Sequence, residues 1–152
     1  MESVTPNPGT GDGPGVILVA VDGSTTSVRA AAWAAGLARR QGSRLLCMYV
    51  ATRPALAGLA LSVGADIPVD AGPDGVAEEL GKEVMAGAAN YDVPVEYVVR
   101  SGDPVTEIIR VADELRVDAV VVGASTQAGH RLIGSVAVRL VRAGRWPVTV
   151  VP

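Results

Sequence analysis

Val120-Val121-Val122-Gly123-Ala124-Ser125-Thr126-Gln127-Ala128-Gly129-His130-Arg131-Leu132-Ile133-Gly134-Ser135-Val136 is the stretch on which the fold reading turns. An unbroken valine run fits a strand covered on both faces. It leads into a loop with three glycines and then into a helix start at Gly134-Ser135. Glycine lets backbone approach an anion closely and take up positive φ. The first N–H groups of a helix are donors without intrahelical partners. The stretch is therefore either a phosphate cradle built from backbone N–H groups or a loop that only caps a helix, with Ser135 as the cap-type residue.

The same grammar extends outward from it. Val16 to Val21 (VILVAV) is a second continuous apolar run, closed by Asp22-Gly23-Ser24. A helix is expected from Thr25 to Gln41, with Val28, Ala31, Ala32, Ala35 and Ala38 as its apolar stripe and Gly42 as its stop. Leu45 to Val50 reads as the second strand, Val76 to Asn90 as a helix and Val93 to Val99 as the third strand. Asp103-Pro104 supplies an acidic N-cap followed by proline at the first helical position. The expected core face of that helix is Val105, Ile108, Ile109, Ala112 and Leu115. Ala119 to Val122, the helix Ser135 to Ala143 closed by Gly144, and the strand Pro147 to Val151 complete the chain. Five strands alternating with four helices predict a single α/β domain, a doubly wound five-stranded parallel sheet with helices on both faces. Residues 16–152 form that domain, and 1–15, rich in Pro, Gly and Asn, are expected as a flexible tail. The connector Thr52 to Asp74 is long enough to cover a site, although a tolerated insertion accounts for it as simply.

Composition narrows the function. The 152 residues are 49% hydrophobic and 19% charged, with eighteen glycines and no phenylalanine, so the core is built from Val, Ala, Leu and Ile. A net charge of −3 offers no basic field for nucleic acid. No apolar run is long enough to span a membrane, and no secretory leader opens the chain, so a cytoplasmic protein is expected. Cys47, the one cysteine, sits in the apolar run Leu45 to Val50 and reads as core. His130 is the one histidine; without a partnered nucleophile or second ligand it builds neither a catalytic nor a metal site. No catalytic residue is assigned. Arg139, Arg142 and Arg145 are read as offsetting a helix C-terminus. Gly129-x4-Gly134-Ser135 resembles a P-loop without its lysine, and it does not follow the first strand, so a P-loop ATPase is rejected.

In a doubly wound sheet, ligands bind beyond the carboxyl ends of the strands where the strand order reverses. If the first and fourth strands flank that reversal, Asp22 and Gly123 face each other across it. Asp22 could then accept hydrogen bonds from a ribose or hold a metal ion, or it could simply cap the first helix.

Taken together, these motifs resemble the universal stress protein family over Val16 to Val151. The resemblance rests on Val21-Asp22-Gly23-Ser24, Gly102-Asp103-Pro104, Asp118 to Gly123, Gly134-Ser135-Val136 and Pro147 to Val151. It implies a Rossmann-like, adenine-nucleotide-hydrolase-like sheet with the first and fourth strands adjacent, a homodimer, and, for a large subgroup, ATP binding. That subgroup carries Gly-x2-Gly-x9-Gly-Ser/Thr. Here Gly123 and Gly134-Ser135 match its ends, but Thr126 stands where the middle glycine belongs, and ten residues rather than twelve separate Gly123 from Gly134. The resemblance implies Asp22, with Ser24 beside it, for the ribose, and the backbone of Val50 and Ala51 for adenine. It implies Gly123, Gly129, Gly134, Ser135 and Val136 for the phosphates, and ATP with or without magnesium as the ligand.

Three functions follow as expectations. The first is an adenine-nucleotide-binding sensor or regulator of a stress response, with weak ATP hydrolysis at most. The second is a nucleotide-independent dimeric interaction module whose shortened loop has lost phosphate binding, and which needs no cofactor. The third, an adenylating enzyme, would carry Ser-Gly-Gly-x-Asp-Ser after the first strand. Asp22 to Ser27 (DGSTTS) lacks that glycine pair. The dimer is expected through Pro147 to Val151, an apolar edge strand that needs a partner.

Overall fold

A computed structural model describes residues 14–52, 73–125 and 133–152. In chain order these form β1 (Val16–Ala20), α1 (Thr25–Gln41), β2 (Arg44–Ala51), α2 (Pro73–Ala88), β3 (Val95–Ser101), α3 (Pro104–Glu114), β4 (Ala119–Gly123), α4 (Ser135–Ala143) and β5 (Val148–Val151). The strands make one parallel sheet in the order β3-β2-β1-β4-β5. This is the expected five-stranded Rossmann-like architecture, with β1 and β4 adjacent.

Strand alternation divides the core in two. Leu18, Leu46, Met48, Val98, Val120 and Val122 pack on one face against Val105, Ile108, Val111, Ala137 and Leu140 of α3 and α4. Ile17, Val19, Leu45, Cys47 and Val121 point to the other face and meet the alanines of α1 and Leu80 of α2. Ile17, Leu18 and Val120 are fully buried. Truncating one of the large ones, as in Leu18→Ala, costs about 2–5 kcal/mol.

The ends of the elements follow the residues. Gly42 stops α1 at φ 67°, its N–H donating to the Ala38 carbonyl, and Gly144 stops α4 at φ 65°. Asp103 caps α3, accepting from the Thr106 N–H at 2.9 Å, with Pro104 behind it. Other expectations are corrected. The buried stripe of α1 is Ala30, Ala34, Ala35 and Ala38, whereas Val28 and Trp33 are exposed. Ala30 to Ala35 is apolar on every side of the helix, so its period does not set the phase. Size does: every residue that α1 buries is small, Thr26 and Ser27 in its first turn and then Ala30, Ala34, Ala35 and Ala38. α3 buries Val111, while Ile109 and Leu115 are half-buried at its edge. α2 begins three residues earlier than expected, at Pro73, because a helix's first turn tolerates a missing N–H. β3 begins only at Val95: Pro94 accepts from the Leu45 N–H but has no donor of its own.

Of the expected tail, Pro14 and Gly15 are described, and both are held. The Ser43 hydroxyl donates to the Pro14 carbonyl, and Asp118 accepts from the N–H groups of Gly15 and Val16 at 2.8 and 2.9 Å. The remainder of that tail and residues 53–72 of the connector lie outside the described residues.

Candidate functional site

The chain leaves β1 for α1 on one face of the sheet and leaves β4 for α4 on the other. Two adjacent strands whose continuations diverge must open a crevice at their carboxyl ends. A cleft of about 460 Å³ lies there. Its floor is apolar, from Ala20, Met48, Val50, Ile108 and Val122; polar groups of the β1–α1 turn and of the α4 N-terminus stand on its walls. Among the described residues that line it, Asp22 is the only ionisable one.

The β1–α1 wall is fixed by short-range hydrogen bonds. Gly23, at φ 84°, makes the turn. Ser24 caps α1 by accepting from the Ser27 N–H at 3.2 Å, so the capping role open to Asp22 belongs to Ser24. Asp22 Oδ1 instead accepts from the Ser24 N–H at 2.9 Å. The Ser27 hydroxyl donates to the Ser24 carbonyl at 3.0 Å and accepts from the Asp22 N–H at 3.2 Å. Desolvation is the largest single influence on Asp22 and pushes its pKa up. The hydrogen bonds from Ser24 and Ser27, with that of its own N–H, together outweigh it and hold the carboxyl below its ordinary value. An ionised acceptor thus faces the cleft at neutral pH.

Gly123 closes the floor for a packing reason. A Cβ there would stand 2.6 Å from the Thr26 carbonyl carbon and 2.8 Å from the Ser27 nitrogen, both backbone. The buried Thr26 hydroxyl donates to the Ala124 carbonyl at 2.7 Å across the same contact. The first turn of α1 is therefore docked on the end of β4, and glycine is what lets it dock.

On the opposite wall, Gly134 rather than Ser135 is the N-cap of α4, at φ −63° and ψ 162°, and it supplies no side-chain cap. The α4 N-terminus thus faces the cleft without a capping side chain from its own N-cap residue. A Cβ on Gly134 would make one tight contact, with the Ser125 Cβ at 3.1 Å, and ordinary contact with the Ser125 nitrogen at 3.7 Å.

The structure thus brings Asp22, Ser24, Val50, Gly123, Gly134, Ser135 and Val136 to one cleft. Ala51 does not line it: that residue is buried, and its carbonyl accepts from the Gly102 N–H at 3.0 Å. Gly129, like His130 and Arg131, lies outside the described residues. Thr26, Met48, Pro104, Ile108 and Ser125 also line the cleft; Pro104 belongs to the Gly102-Asp103-Pro104 motif but reads there only as a helix start, and nothing in the other four marks a site. Among the described residues no group of three or more His, Cys, Asp or Glu is placed to hold a metal ion. Beside the cleft, Arg139 makes two 2.9 Å hydrogen bonds to Asp103, whereas Arg145 pairs with Asp113 at the far ends of α3 and α4. Two of the three arginines read as dipole partners therefore hold acids instead. The Arg139 guanidinium, followed by the Thr106 N–H and hydroxyl, keeps the Asp103 carboxyl far below the carboxylate range.

Comparison with known proteins agrees with this geometry. The model of the universal stress protein family matches residues 15–152. Universal stress protein YxiE of Bacillus subtilis is 28% identical over 144 residues, covering 89% of this chain and 97% of the relative. Universal stress protein UspA from Lactobacillus plantarum superposes with a TM-score of 0.73 at 25% identity, over 90% of this chain and 97% of that one. A universal stress protein in complex with cAMP superposes at 0.61 with 26% identity, over 91% and 96%. The chain belongs to the universal stress protein family.

Proposed function

We propose that the cleft binds an adenine nucleotide, ATP in the first instance, and that the protein acts as a nucleotide-dependent sensor or regulator. The observation that carries this reading is the pairing of opposed walls at the β1/β4 reversal. An ionised carboxylate suited to ribose hydroxyls stands on one wall, a helix N-terminus without a side-chain cap on the other. The apolar floor between them, Met48, Val50 and Ile108, fits a purine face. The cAMP bound by a relative supports the adenosine end. Magnesium would arrive with the triphosphate, because Asp22 alone cannot complete a site. Mass spectrometry of small molecules released from protein purified without added nucleotide tests the reading. An adenine nucleotide near one per chain supports it; protein that carries none and takes up none on incubation with ATP defeats it.

Fast hydrolysis is not part of this function. It needs neutralised phosphate charge and a positioned water, and the described lining offers no cation. Turnover of about 1 s⁻¹ or more by contaminant-free protein would overturn this.

The protein is further proposed to be a cytoplasmic homodimer paired through β5, which lies at the sheet edge with β4 on its inner side. Val148 and Val150 pack on one core and Val151 on the other, each only half-buried. A monomeric mass by light scattering at micromolar concentration would refute the dimer. One observation favours the alternative, a nucleotide-independent interaction module: the loop between Gly123 and Gly134 is two residues shorter than the ATP-binding pattern.

A further inference from the structure

Asp103 and Arg139 meet at the rim of the cleft, 36 residues apart in sequence. Arg139 Nη1 donates to Asp103 Oδ1 and Nη2 to Oδ2, each at 2.9 Å. This two-point pairing is the strong, directional form of a guanidinium–carboxylate contact. Pro104, next to Asp103, lines the cleft, and so does Ser135, four residues before Arg139 on α4. Residues four apart share a helix face, and helical side chains lean toward the N-terminus. Arg139 is therefore directed back over Ser135, about 6 Å away along the axis, a distance an extended arginine spans. It is a cation one turn from the wall where the phosphates would lie, and the carboxylate of another helix occupies both of its terminal nitrogens.

We infer that Asp103 is a positioning residue that sets selectivity by phosphate number: by clamping Arg139 it withholds the guanidinium from the phosphate end and keeps the advantage of a polyphosphate over a single phosphate smaller than a free Arg139 would make it. The inference rests on the adenine-nucleotide reading of the cleft and adds to it a control on which nucleotide is retained. Release of the clamp supplies one charge-assisted contact to the outer phosphates of ATP that AMP does not reach.

The test measures ATP and AMP affinities calorimetrically for the full chain and two variants, with folding checked by circular dichroism. Asp103→Ser keeps a capping oxygen for the Thr106 N–H but is too short to hold Arg139. It is expected to raise the ratio of ATP to AMP affinity about tenfold, the value of one hydrogen bond to a charged group. Adding Arg139→Gln is expected to return the ratio to that of the unaltered protein. Should Asp103→Ser not fold, Asp103→Asn, which also caps and lacks the charge, carries the same comparison. An unchanged ratio in a folded Asp103 variant overturns the inference, as does a gain that survives removal of Arg139. Both of those results leave nucleotide binding intact. Unaltered protein that binds neither ATP nor AMP instead defeats the nucleotide reading, and the inference falls with it.

Discussion

Gly123→Ala isolates the docking of α1 on the end of β4. The added methyl would stand 2.6 Å from the Thr26 carbonyl carbon, 2.8 Å from the Thr26 oxygen and 2.8 Å from the Ser27 nitrogen. All three are backbone atoms of a helix start, so no rotamer change relieves the clash and α1 must lift away from β4. Overpacking of this kind costs about 1–3 kcal/mol. The Thr26–Ala124 hydrogen bond, 2.7 Å and buried at the same contact, must lengthen too, which favours the upper part of that range. For a domain of this size each kcal/mol moves the midpoint by about 2–4 °C, so a fall of roughly 4–10 °C is expected. Thermal unfolding followed by circular dichroism measures it, with Gly134→Ala as comparator. At Gly134 the backbone is extended and the methyl's one tight contact is a serine Cβ at 3.1 Å, with that serine's backbone at 3.7 Å and beyond, so its midpoint should stay close to that of the unaltered protein. A Gly123→Ala midpoint within about 1 °C of the unaltered protein would refute the packing argument.

Two further expectations concern titrating groups. Cys47 is 2% exposed and burial pushes its thiol up to about 12, so iodoacetamide at pH 8 should modify it only after denaturant is added; equal rates in native and unfolded protein would contradict its placement in the core. Asp103 is held below its ordinary value in the folded state, so its contribution to stability is complete above about pH 4 and is lost as pH falls through the lowered folded value. Urea midpoints between pH 2 and 5 should therefore fall less steeply for Asp103→Ser than for the unaltered protein, and parallel curves would refute this.

The fold was legible where residue type forces it. Val16 to Val21 and Val120 to Val122 have no polar face, and only strands covered on both sides accept such runs. Gly42, Gly144 and Asp103-Pro104 marked helix ends because their backbone demands are specific. The phase of α1 was not legible, since Ala30 to Ala35 carries no hydrophobic contrast around the helix. Strand order came from the family resemblance, because nothing in a strand's own residues names its neighbours. At the site, Asp22 and Gly134-Ser135 were found from strand and helix ends, Val50 and Val136 only through the family resemblance, and the cleft gathers them. Gly123 was found as well, but its reading as a phosphate glycine missed the helix packed on it, a contact with residues nearly 100 positions away. Thr26 and the Asp103–Arg139 pair escaped for the same reason: a threonine in a first turn and an arginine on a helix look solvated until the partner is known.

Calorimetric titration with ATP of the unaltered protein and of Gly134→Val tests the central claim most directly. Valine is compatible with the extended backbone at Gly134, but its branches fill the space between the α4 N-terminus and Ser125. The account predicts saturable binding near one ATP per chain for the unaltered protein, with a Kd below about 1 mM. It predicts a large loss of affinity in a Gly134→Val variant that still unfolds cooperatively. Undiminished ATP affinity in that folded variant, or no binding by the unaltered protein, would contradict it.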